Sequence, residues 1–68
     1  MAATVLTPEQ VATYAHYFEC YGLFYQRIVA NNATHLHVTP TGNTFRVEVV
    51  RHGTVVYCYD NVDDPDLG

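Results

Sequence analysis

The chain has 68 residues, 49% of them hydrophobic and 15% charged, with a formal net charge of −4. That length allows one small core, and the composition favours a folded chain over a disordered one. Four of the seven acidic residues are Asp60, Asp63, Asp64 and Asp66, so the rest is near neutral, holds no lysine, and lacks the basic patch that nucleic-acid binding requires.

Thr7-Pro8-Glu9-Gln10 is a strong helix start: a Thr cap, Pro at the first helical position, and Gln three residues after the cap. Nothing ahead of it resembles a secretory leader, and the sequence from Met1 reads as a complete small gene product. Apolar residues then recur at helical spacing to Ala30, and Asn31-Asn32 can supply the left-handed residue that closes a helix. The spacing predicts one long N-terminal helix from Pro8, with a kink allowed near Gly22, where glycine costs about 1 kcal/mol relative to alanine.

This helix carries two apolar stripes. Val11, Ala15, Phe18, Gly22, Tyr25 and Val29 form one, suited to a sheet because Ala15 and Gly22 permit close approach. Tyr17, Tyr21, Phe24 and Ile28 form the other. A single small sheet covers one face of a helix, so the second stripe is expected at an oligomer interface, most simply a homodimer. Glu19, Gln26 and Arg27 interrupt the apolar run, which never reaches the roughly 20 residues of a membrane span.

After Asn32 the period changes to two. His35 to Val38, Phe45 to Val50 and Val55 to Tyr59 read as three strands separated by Pro40-Thr41-Gly42 and His52-Gly53. The expected architecture is therefore α+β, the long helix packed on a three-stranded antiparallel meander. A two-residue turn at His52-Gly53 pairs Glu48 with Tyr57, Val47 with Cys58 and Arg46 with Tyr59, which sends Phe45, Val47, Val49, Val56 and Cys58 to one face. An even-length first loop adds Leu36 and Val38 to that face. The opposite face then holds two cross-strand rows, His37-Arg46-Tyr59 and His35-Glu48-Tyr57, and these six residues are the expected partner-binding surface. Residues 1–59 form the expected domain, and residues 60–68 an acidic flexible tail.

His16 and Cys20 are four apart on the helix, and His35 and His37 two apart on a strand, spacings that zinc ligands use. The two pairs sit on different elements facing apart, so these four residues make a metal site only as the alternative reading, in an oligomer. Cys20 and Cys58 read as thiols in a reducing compartment, and the expected location is cytoplasmic. No phosphate loop, nucleotide fingerprint or hydrolase elbow is present, and no cofactor is implied. The resulting expectation is a self-associating, non-catalytic regulatory module, an inhibitor or adaptor, that docks on a larger protein without nucleic acid or membrane.

Overall fold

Thr7 sets where the first helix begins. In the structure, a computed structural model that describes residues 3–63, the Gln10 N–H donates to Thr7 Oγ1 at 3.3 Å. The Thr7 N–H in turn donates to Gln10 Oε1 at 2.8 Å, which closes the capping box. Six elements follow in chain order: β1 Thr4–Leu6, α1 Pro8–Ala15, α2 Glu19–Asn31, β2 His35–Thr41, β3 Thr44–Arg51 and β4 Thr54–Asp63.

The single long helix is thus replaced by two short ones, and the break falls at His16 to Phe18 rather than at Gly22. Tyr17 and Phe18 N–H both turn back to the Tyr14 carbonyl at 2.9 Å, and Phe18 is extended at φ −133°, ψ 122°. Length supplies a reason. A straight helix from Pro8 to Ala30 would run about 35 Å, longer than the 29 Å greatest extent of the chain. Folding it back lets both halves lie on the sheet. Asn32, left-handed at φ 54°, ends α2, and the Ala33 N–H caps the Ile28 carbonyl at 2.9 Å.

The sheet has four antiparallel strands in the order β1-β2-β3-β4, not three. β1 spans three residues, too few for a period-two pattern to register in the sequence, and pairs with Leu36 to Val38 of β2. Pro40 lies past its reach. Gly42 and Gly53, both at positive φ, sit in the two hairpin turns, where L-residues with a Cβ are strained.

β4 departs from the expected register. Val50 pairs with Val55, but Val49 pairs with Tyr57, so Val56 is an extra residue. A second extra residue lies between Tyr59 and Val62, where Asn61 adopts φ 57°. Each bulge shifts the side-chain alternation by one. As a result Tyr57 and Tyr59 point to the helices, paired with Val49 and Val47, while Cys58 pairs with Glu48 on the far side. Asp60 to Asp63, expected in the tail, continue β4. The remainder of the expected tail, 64–68, lies outside the described residues.

The core between helices and sheet contains Leu6, Val11, Leu36, Val38, Val47 and Val49, together with Tyr21, Phe24 and Ile28 of α2. Hence the stripe expected at a dimer interface is covered by the chain's own sheet. Of its four members only Tyr17 stays outside, 75% exposed in the interhelix turn. The helix break is the cause: a stripe keeps one side only while the helix is continuous, and the non-helical residues 16–18 reset the phase. Val11 remains inside, whereas Tyr25 and Val29 of the same expected stripe turn to solvent.

Candidate binding surfaces

The outer face of the sheet is organised by β2, β3 and β4. Register places Val5, His37, Glu48 and Cys58 in one row across all four strands. His37 Nδ1 meets Glu48 Oε1 at 3.2 Å, and Arg46 Nε approaches Glu48 Oε2 at 3.9 Å and Asp60 Oδ1 at 3.7 Å. Cys58, then Asp60 and Glu48, hold the Arg46 guanidinium further above its ordinary range, so its charge is fixed. Glu48 is thus shared between a histidine and an arginine. Exposed pairs of this kind add little to stability, and their charges largely satisfy one another.

The six residues expected on this face are parted. His35, His37, Arg46 and Glu48 lie on it, but the bulge at Val56 carries Tyr57 and Tyr59 to the helix side. The row His37-Arg46-Tyr59 does not form, because the even-length first turn falls at Gly42-Asn43 and pairs His37 with Glu48 and Arg46 with Thr39. His35 pairs with Val50, not Glu48.

On the helix side a chain of aromatic rings crosses the molecule to its β4 edge. Tyr14, Tyr21, Phe24, Tyr59 and Tyr57 follow one another with centroid separations of 5.3, 5.2, 5.0 and 4.9 Å. Arg27 of α2 ends the series. Its guanidinium carbon lies 4.1 Å from the Tyr57 ring centroid, and its Nε and Nη2 donate to the Tyr59 and Tyr57 hydroxyls at 3.3 Å. These contacts, Tyr59 first, also hold Arg27 above its ordinary range. Leu23, Gln26, Arg27, Ala30 and Tyr59 line an open groove of about 440 Å³ between α2 and β4. Sequence reasoning missed Leu23 and Arg27 here. The one available signal was that Arg27 is the only lysine or arginine before the strands.

A smaller cleft of about 290 Å³ opens at the other end of the sheet, with Leu6, Tyr14, Tyr21, Val38 and Phe45 in its lining. It is below the ordinary size of small-molecule sites and holds no charged group.

The alternative metal set does not converge. His16 ends α1 and is exposed, Cys20 packs against the core from α2, and His35 and His37 stand on the opposite face of the sheet. Among the described residues no cluster of three or more His, Cys, Asp or Glu could hold a metal ion. Both cysteines are free thiols, and burial raises the Cys20 pKa. No helix among the described residues is long and apolar enough to cross a membrane.

No protein-family model, curated protein or solved structure matches the chain.

Proposed function

We propose that this protein is a small non-catalytic binding module, an inhibitor or adaptor, that works in the cytoplasm by docking the Tyr25–Val29 flank of α2 into a groove of a larger protein. One observation carries the reading. With Tyr21, Phe24 and Ile28 already in the core, α2 still turns Tyr25 and Val29, one turn apart on one flank, to solvent, with Val29 63% exposed. Glu19, Gln26, Arg27 and Asn31 are the polar residues of the helix. Glu19, Gln26 and Ala30 lie on the side of the helix away from the core, so Tyr25 and Val29 form a separate apolar flank with its own surface to cover. Apolar anchors spaced along one helix suit the helix-in-groove mode of recognition. The outer sheet face is the weaker candidate because His37, Arg46, Glu48 and Asp60 already pair among themselves.

A photoreactive residue at position 29 should link the chain to its partner in the native cell, with mass spectrometry identifying the product. Binding of that partner should weaken by about 5- to 150-fold in Val29→Asp, the range of a 1–3 kcal/mol anchor. Unchanged binding by Val29→Asp, with loss in Arg46→Ala, would move the contact to the outer sheet face.

A further inference from the structure

We propose that two copies of this chain join through antiparallel pairing of their β4 edges, with the symmetry axis at Cys58, and that the α2–β4 groove is one half of the interface. The surface is separate from the Tyr25–Val29 side of α2, so the proposal stands apart from the docking reading.

β4 is the longest strand and lies at the edge of the sheet. Among the described residues no strand pairs with its outer side, so its backbone is a template for another strand, and folded proteins often guard such edges with lysine, proline or charge. From Thr54 to Tyr59 the sequence is Thr-Val-Val-Tyr-Cys-Tyr, which has none of them. Between the bulge at Val56 and the one at Asp60-Asn61 the register is regular over Tyr57, Cys58 and Tyr59, with Cys58 in the middle. A two-fold axis there joins two regular stretches and keeps both irregularities away from the centre.

Side chains on both faces suit this register. On the helix side Tyr57 meets the second copy's Tyr59, and aromatic pairs are favourable cross-strand neighbours. On the outer side the row Val5, His37, Glu48, Cys58 continues into its own mirror order across eight strands. Charge selects the antiparallel sense. Arg51 and His52 stand at the Thr54 end of the edge, and Asp60 and Asp63 at the other. Antiparallel pairing brings the acidic end of one edge to the basic turn of the next, whereas parallel pairing stacks Asp60 on Asp60.

The helices fit as well. α2 packs on β3 and on Tyr57 and Tyr59 of β4. A helix above the β3–β4 boundary would be separated from its symmetry mate by two strand spacings, roughly 10 Å, the distance at which helices pack. Leu23, Ala30 and Arg27 line that flank. The groove would close against the same residues of the second copy.

Sedimentation of the whole chain at micromolar to 100 micromolar concentration should give a dimer. Val55→Lys places a lysine on the edge, and Leu23→Glu places a charge on the helix flank. Each should raise the dissociation constant at least tenfold while circular dichroism stays that of the folded chain. In Cys20→Ser protein a short bismaleimide should link Cys58 to Cys58, and Val55→Lys should abolish the link. A wild-type chain that sediments as a monomer at 100 micromolar overturns the proposal. So does a dimer that withstands both substitutions and yields no Cys58 link.

Discussion

Phe24 and Val29 look alike in the sequence, both apolar and both on the helix, yet they belong to different environments. Phe24 is buried, in ring contact with Tyr21 and Tyr59. Replacing it with alanine should cost about 3–5 kcal/mol in urea unfolding, enough to unfold a chain this small. Val29→Ala should change stability by no more than about 0.5 kcal/mol. The reverse order would restore the stripe assignment drawn from unbroken helical spacing. Cys20 offers a pH test. Its folded pKa is raised by burial, so the stability it contributes is complete below the ordinary value of 9.0 and is lost as pH rises past it. Between about pH 7 and pH 10, wild-type protein should therefore lose slightly more stability than Cys20→Ala. Iodoacetamide should react with Cys20 more slowly than with a free thiol, because less thiolate is present at neutral pH.

At the scale of elements, β4 decides what each face of the sheet displays. Deleting Val56 would remove the first bulge while Val49 stays paired with Tyr57, so Tyr57 and Tyr59 should keep to the helix side with the Phe24–Tyr59 and Arg27–tyrosine contacts intact. The deletion should cost no more than about 1 kcal/mol in urea unfolding, and NMR should find the Tyr59 ring against Phe24 in both chains. Loss of the Phe24–Tyr59 contact would mean that the bulge itself, and not the register beyond it, holds the tyrosines inward. This strand also shows what the sequence could and could not disclose. The Thr7 cap, the Asn32 terminator and the His52-Gly53 turn were legible because each depends on a few adjacent residues. The helix break and β1 were not, since they answer to the length of the sheet and to pairing with β2. Nothing in Thr54-Val55-Val56-Tyr57 marks Val56 as the extra residue; Asn61, which tolerates a left-handed conformation, was a faint sign of the second bulge. A one-residue slip inverts alternation, so an error of that size split the expected partner surface in two.

For the molecule as a whole, dimerisation would make stability depend on concentration. With an unfolding entropy of about 2.1 cal/mol/K per residue, Tm should climb by about 5 °C for each tenfold rise in protein concentration, measured by scanning calorimetry. A Tm independent of concentration over that range would indicate a monomer. The opposite edge of the sheet then acquires a meaning of its own. β1 covers only Leu36 to Val38, and beyond it β2 offers Pro40, which has no N–H to give a neighbouring strand. One rim of the sheet is open to growth and the other is terminated. Edge-to-edge joining therefore consumes its only permissive rim on both sides of the axis, and the assembly is finite where a chain with two open rims would polymerise into a fibre.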